Sequence, residues 1–274
     1  MSFLVGVFSF FFLFTFMAPP PACAEGDVDF DTLEKIGTTR IIEVIDGDTV
    51  IIAPPVNGAN EVRLVGIQAP KIPLGRKNFI AWPLGEEAKA ALNAIALNEA
   101  VTLFTGGQKM DRHGRHLAHL QTSNGIWLQG RLLASGMARV YSFPDNRSLI
   151  PEMLKLETKA RTSNLGIWSH PFYKTRTPIE TAALIGRYEV VEGKILHTAS
   201  IKKRIYLNFG EDWRTDFTVS IEKKSQKLFD ATEFNLLNLE GKTIRVRGWI
   251  KEWNGPSMKI THPEQIEIIE IDTF

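Results

Sequence analysis

The chain has 274 residues, with 32 Lys+Arg against 31 Asp+Glu, a formal charge of +1 and 44% apolar residues. That length admits one large domain or two small ones, and the ordinary apolar and charged fractions exclude a disordered chain. The balance also excludes a whole-domain basic footprint: from Leu184 onward 14 Lys+Arg meet 14 Asp+Glu, so any phosphate binding must come from local basic clusters.

Phe3 to Met17 is an apolar run, shorter than the roughly 20 residues needed to span a bilayer. Ala22-Cys23-Ala24 follows, an A-x-A-like cleavage site ahead of the acidic Glu25-Gly26-Asp27. Residues 1–24 therefore read as a secretory signal peptide, although the usual leading Lys or Arg is missing. The expectation is an exported protein, periplasmic or secreted, with no membrane insertion after cleavage. Cys23 is the only cysteine, so the cleaved chain could form no disulfide. Pro20 and Pro21 precede it where a lipid-attachment signal has a Leu-Ala-like pair, which argues against acylation.

Residues 25–37 read as a lead-in. Strand-like runs then occupy Arg40–Ile45, Thr49–Ala53, Glu61–Gln68, Ala100–Phe104 and Leu117–Gln121, with a hairpin turn at Asn57-Gly58. Pro83–Leu97 follows helical rules: Pro at its start, Glu86 and Glu87 in the first turn, and apolar residues at 3–4 spacing. Gly125–Ala134 and Ser148–Thr162 are two further helices, the second exposing Lys155 and Lys159. Five short strands with three helices, mainly β with helices, predict a small OB-type barrel. Residues 170–184, with Pro171 and Pro178, read as a linker. A second strand-rich unit fills 185–274: Tyr188–Leu196, Arg204–Phe209, Asp216–Ile221, Lys242–Ile250 and Ser257–Ile269, with a helix-like stretch at Lys224–Asn238. A helix between the third and fourth of five strands is again the OB order, and it predicts a second, smaller OB-like β-barrel domain.

Val44–Val50 reads Val-Ile-Asp-Gly-Asp-Thr-Val, two short strands joined at a tight bend with Asp46 and Asp48 at the corner. Turn chemistry alone explains an Asp-Gly pair. Downstream, however, Arg63 lies in an apolar strand, and Asp111-Arg112-His113-Gly114-Arg115 makes a second Asp…Gly-Arg turn. Gly136-Met137-Ala138-Arg139-Val140 and Asn164-Leu165-Gly166-Ile167-Trp168 follow. In order and spacing these residues, over 38–169, resemble the staphylococcal nuclease (thermonuclease) family.

The resemblance implies an OB barrel with three helices and a phosphodiester hydrolase site. Active members of that family hold one Ca²⁺ with carboxylates, grip the scissile phosphate with two arginines, and activate water with a glutamate. Asp48 matches the first metal carboxylate and Asp46 the acid beside it; Arg63 and Arg115 match the phosphate grip. Taken singly, each also fits a turn or a surface ion pair. The segment after Arg63 departs from the family: Gln68-Ala69-Pro70-Lys71 stands where active members have Asp-Thr-Pro-Glu. Gln68 replaces the second metal carboxylate and Lys71 the catalytic glutamate. Calcium affinity scales with ligand charge, and the exchanges remove carboxylates, so Ca²⁺ binding is expected to be weak or lost and no cofactor required. A protonated lysine cannot accept a proton from water.

Three substitutes for the base remain open: a neutral Lys71, His113, since histidine is the side chain that ordinarily exchanges a proton near working pH, or one of Glu86 and Glu87. His113 and His116 are otherwise expected at an exposed hairpin tip. Arg76 and Lys77, in the long Lys71–Trp82 loop, are expected to add positive charge at the same mouth. In the second unit Lys202-Lys203-Arg204 falls where an OB-fold has its first variable loop, and Tyr206, Phe209, Trp213 and Phe217 are candidate stacking aromatics; farther along, Trp249 and Trp253 flank Lys251. Aromatics at alternating strand positions are as readily core. The expected function is binding of nucleic acid or nucleotide phosphates through a nuclease scaffold with impaired or rerouted catalysis. The alternatives are an active metal-dependent nuclease with a substitute base and an envelope structural or protein-binding module; the sequence names no protein partner.

Overall fold

The computed structural model describes residues 28–230 and 235–269, so the expected signal segment 1–24 lies outside the described residues. In chain order the first unit comprises β1 (Glu34–Asp46), β2 (Thr49–Val56), β3 (Ala59–Leu64), β4 (Ile67–Gln68), α1 (Gly85–Ala96), β5 (Ala100–Thr105), β6 (His116–Thr122), α2 (Leu128–Ala134), β7 (Arg139–Val140) and α3 (Ile150–Thr162). Strands β1-β2-β3-β6-β5 close into a barrel, antiparallel throughout except for the parallel pair β3 and β6. Strand periodicity sorts the side chains: in β3, Val62 and Leu64 enter the core while Arg63 faces the other way. Ile41, Leu64, Leu103 and Leu120 are among the fully buried side chains, each stabilising by about 1.5–3 kcal/mol. Helix α1 buries Ala88, Leu92 and Ala96, one turn apart, against the barrel.

Several element ends differ from the local reading. β1 starts at Glu34, so strand occupies part of the expected 25–37 lead-in; its polar start is held by pairing with β5, Glu34 opposite Thr105. The run Glu61–Gln68 breaks into β3 and β4 around a turn at Gly66. Helix α2 begins three residues late because the Thr122 hydroxyl accepts the Ile126 N–H (3.0 Å) and draws it into a turn.

The second unit comprises β8 (Tyr188–Lys194), β9 (His197–Ile201), β10 (Arg204–Asn208), β11 (Thr218–Ile221), α4 (Lys223–Asp230), β12 (Thr243–Glu252), β13 (Pro256–Ile260) and β14 (Ile266–Ile269). It is a seven-stranded sheet ordered β14-β12-β13-β11-β10-β9, with β8 also on β12. β11 and β13 run parallel and the other pairs antiparallel, which repeats the pairing of the first barrel. The counterpart of β1 is split into β8 and β9, and hydrogen bonds continue across the gap: Ile195 N–H donates to Lys242 O and Leu196 N–H to Asn208 O (2.9 Å each). The expected strand Ser257–Ile269 is likewise two strands, because a 3-10 turn starting at Pro263, which lacks an N–H, interrupts it. The stretch expected as one helix to Asn238 is α4 followed, among the described residues, by a 3-10 turn at Leu236–Leu239.

Residues 170–184, expected as a linker, are packed. Tyr173 is buried and donates its hydroxyl to Pro83 O (2.7 Å), Arg176 pairs with buried Glu189, and Thr177 and Glu180 cap a 3-10 helix at Pro178–Leu184. The two units also share a buried charge network. Glu157 of α3 accepts bidentately from Arg247 of β12 (2.9 and 3.0 Å), from Arg161 (2.9 Å) and from Val140 N–H (2.6 Å). Glu157 and Arg247 are both inaccessible to solvent. Burial alone pushes the Glu157 carboxyl up, but Arg247 and Arg161 hold it below the ordinary range. Arg147 to Glu264 and Ser142 to His262 tie the same faces together.

Candidate active site

The site is built at the turn between β1 and β2. Gly47 lies between the acids because a Cβ there would sit 2.6 Å from that of Ala69 and 2.9 Å from that of Ala88, which brings α1 and the segment after β4 up against the turn. Antiparallel pairing puts Thr49 opposite Arg63, and Leu64 N–H donates to Asp48 O (2.9 Å), so the Arg63 guanidinium reaches Asp48. It contacts the Asp48 carboxylate and donates to Asp48 O (3.0 Å) and Ile67 O (2.9 Å).

Lys71 completes the cluster. Its Nζ lies 2.7 Å from each Asp48 carboxylate oxygen and 3.2 Å from Asp46 Oδ2. Asp48, wholly buried, also accepts from Ala69 N–H (2.7 Å), and Asp46 accepts from Asp48 N–H (3.0 Å). Burial pushes the Asp48 carboxyl up, but Arg63 and Lys71 together hold it well below the usual carboxylate range. Burial and the neighbouring Asp48 charge raise Asp46. The ammonium has three hydrogens and three carboxylate oxygens to give them to. An amine acting as base needs a free lone pair; Lys71 is placed here as a donor.

Gln68 takes no part in this cluster. Arg139 donates from Nε and Nη2 to Gln68 Oε1 (3.0 and 2.8 Å) and turns that oxygen away. Arg139 is itself buried, with its guanidinium 4.7 Å from the ring centre of Tyr188 in the second unit. Its role was missed in the sequence, where it was only the basic member of an otherwise apolar pentapeptide. The donor set does not fit calcium, which needs six to eight oxygens: two carboxylates remain, a cation already sits between them, and the third oxygen is engaged elsewhere. Among the described residues no group of three or more His, Cys, Asp or Glu could hold a metal ion.

Arg115 faces the same side as Arg63, and both line an open cavity of about 600 Å³ with His113, Tyr141 and Asn146. Arg115 is paired with Asp111 (2.7 Å) and lies 3.7 Å from Glu61, so its charge is partly balanced. His113 is exposed at the hairpin tip, where its Nε2 lies 3.1 Å from Arg112 Nε. His116, expected beside it in solvent, is buried instead with Nε2 2.7 Å from Val56 O, because it is the first residue of β6 and faces the barrel. Arg76 turns back on its own loop, donating to Ile72 O (2.6 Å) and Pro73 O (3.0 Å) and stacking on Phe79. Glu86 and Glu87 are exposed on the first turn of α1. Lys202, Lys203 and Arg204 lie in the other unit, at the β9–β10 hairpin; Phe209 and Phe217 there are core, with ring centres 5.1 Å apart.

A barrel of this pairing order, with an acid pair at the first turn and two arginines across it, defines the staphylococcal nuclease class of OB barrel. Residues 61–170 match the family model described as staphylococcal nuclease homologue. Protein ParB of Escherichia coli is 31% identical over 140 residues, 48% of this chain and 72% of that protein. The thermonuclease of Staphylococcus hyicus is 28% identical over 133 residues, 48% of this chain and 76% of the enzyme. An uncharacterised protein of Bacillus anthracis is 33% identical over 138 residues, 47% of this chain and 60% of its own length. The chain belongs to the staphylococcal nuclease homologue family.

Proposed function

We propose that this chain recognises phosphodiester groups of nucleic acid through a nuclease scaffold from which calcium-dependent hydrolysis has been lost. The observation that carries this reading is Lys71 Nζ at 2.7 Å from both Asp48 oxygens: the chain's own ammonium balances the acid pair. Arg63 and Arg115 remain at the wall of the cavity, where a planar guanidinium suits a phosphate. Because both are partly neutralised by Asp48, Asp111 and Glu61, binding is weak and falls steeply with salt. Thermonuclease relatives support the substrate class. We also propose export through residues 1–24. N-terminal sequencing of the mature protein should then return Glu25; Met1, or an acyl group on Cys23, would refute it. Among the described residues no helix is long and apolar enough to cross a membrane.

The test is hydrolysis of single-stranded DNA by the purified protein with calcium, with other divalent ions and with chelator. The expected result is no cleavage above the chelator control, with weak oligonucleotide binding that persists in chelator. Lys71→Glu should weaken that metal-free binding, and Lys71→Glu with Gln68→Asp should gain calcium-dependent cleavage. Calcium-dependent cleavage by the unaltered protein, abolished by Asp48→Ala, would sink the proposal. Cleavage abolished by His113→Ala would instead favour a substitute base, since His113 shares the cavity with both arginines.

A further inference from the structure

From the outward face of the second unit, we infer that it carries a binding groove of its own for single-stranded nucleic acid, held by stacking on Trp213 and Trp253. Strand alternation separates the two faces here. Leu207, Val219, Ile221, Met258 and Ile260 enter the core. Their neighbours face outward and floor an open trough of about 460 Å³. Across the floor the rows are Ala199–Tyr206–Ser220–Lys259 and Asn208–Thr218–Ser257, as the strand registers fix them. Except for Tyr206 and Lys259 these side chains are small, which keeps the trough low in its middle.

One rim carries two exposed indoles. Trp213 is 50% exposed on the β10–β11 loop and Trp253 is 68% exposed on the β12–β13 turn. The two connections touch: Gly255 has φ of +84°, and a Cβ there would come within 2.5 Å of Thr215 O, so only glycine permits the approach. The two connections that carry the indoles are thus held together on one rim. Among the described residues nothing buries them, while Phe209 and Phe217 nearby are in the core. Large exposed aromatic surface lining a concave face marks a ligand site.

Charge selects the occupant. Arg204, Lys251 and Lys259 line the trough against Glu222 and Glu252, a surplus of one cation, and Lys202 and Lys203 stand exposed at the adjoining hairpin tip. Both lysines have positive φ, 50° and 66°, as a two-residue hairpin turn requires. Arg214 stacks over Trp213 at 4.7 Å. Aromatic faces flanked by cations suit a strand with alternating bases and phosphates, and do so without base specificity. This site uses none of the residues around Asp48, so it stands or falls separately from the loss of hydrolysis.

The experiment is a binding titration of the full chain with a labelled oligothymidylate in chelator at low salt, followed by anisotropy and tryptophan quenching. Trp213→Ala and Trp253→Ala should each weaken binding roughly 5- to 100-fold, and Trp253→Phe should recover part of the loss. Lys202→Ala with Lys203→Ala should flatten the plot of log K against log salt by about 0.7 per lysine. Both indoles are exposed, so an unchanged thermal transition will certify folding. Binding that ignores both tryptophans but is lost in Arg63→Ala would assign the whole affinity to the first unit and overturn the inference. Equal, tryptophan-dependent binding of polyglutamate or of a neutral oligosaccharide would overturn it too, since the groove would then not be selecting a nucleic acid.

Discussion

The two units share one strand-pairing order and place their charges in opposite ways. In the first, charge is drawn inward: Asp48, Arg63 and Lys71 neutralise one another beneath the barrel rim, and Arg115 is held by Asp111. In the second, Arg204, Lys251 and Lys259 stay on the outer face beside exposed indoles, with Glu222 pairing to Arg204 and Lys259 at that surface. A common backbone therefore says little about chemistry; the site side chains decide it. Between the two lies the Glu157–Arg247 network, in which each buried charge has its bidentate partner in the other unit and further partners, Arg161 for Glu157 and Glu267 for Arg247, in its own.

The largest expected effect breaks that junction. Arg247→Met should destabilise the protein by about 3–5 kcal/mol, because it leaves Glu157 buried without its bidentate partner. Replacing both, Glu157→Gln with Arg247→Met, should recover part of the loss. Urea denaturation followed by tryptophan fluorescence checks this, and a single transition in the parent would show that the units unfold together. A parent that unfolds in two steps, with only one step moved by Arg247→Met, would mean that the units are independent.

Acid should act on the same seam. Burial lowers His262 to about 4 and His119, in the first core, to about 3. The unfolded value is near 6.5. The unfolded chain therefore binds the proton first, and stability is lost as pH falls from 6.5 towards those values. For His262 the loss is about 3 kcal/mol at the limit. His262→Gln should flatten the stability profile between pH 6.5 and 4, measured by thermal melts in a buffer series; an unaltered slope would clear His262 of the effect.

Calcium sharpens the contrast within the first unit. Millimolar calcium should leave the melting temperature of the parent unchanged. In Lys71→Glu with Gln68→Asp, saturation to 100 times Kd would add about 2.7 kcal/mol and a clear thermal shift. A shift in the parent that disappears in Asp48→Ala would show that Lys71 yields to the metal. The smallest effect belongs to the exposed hairpin: Lys202→Ala with Lys203→Ala should change stability by less than about 0.5 kcal/mol, read by the same melts.

Sequence alone determined what local chemistry controls. Strand alternation and helical spacing set the elements, Asp-Gly-Asp and Asn57-Gly58 set two tight turns, and the order of Asp48, Arg63 and Arg115 pointed to the family and to a common site. The substitutions Gln68 and Lys71 were equally legible, because they occupy defined places in a motif. Tertiary structure decided the rest. Lys71 reaches Asp48 across 23 residues, Arg139 reaches Gln68 across 71 and Arg247 reaches Glu157 across 90. None of these pairings leaves a periodic trace, since each depends on where a loop or a distant strand comes to rest. The aromatic residues show the same division. Alternation along β10 and β11 could not say which face was covered; only the packed core put Phe209 and Phe217 inside and left Trp213 in solvent. Local residue chemistry limits which contacts a side chain can make, and the closed chain, by burying one face and exposing the other, selects among them.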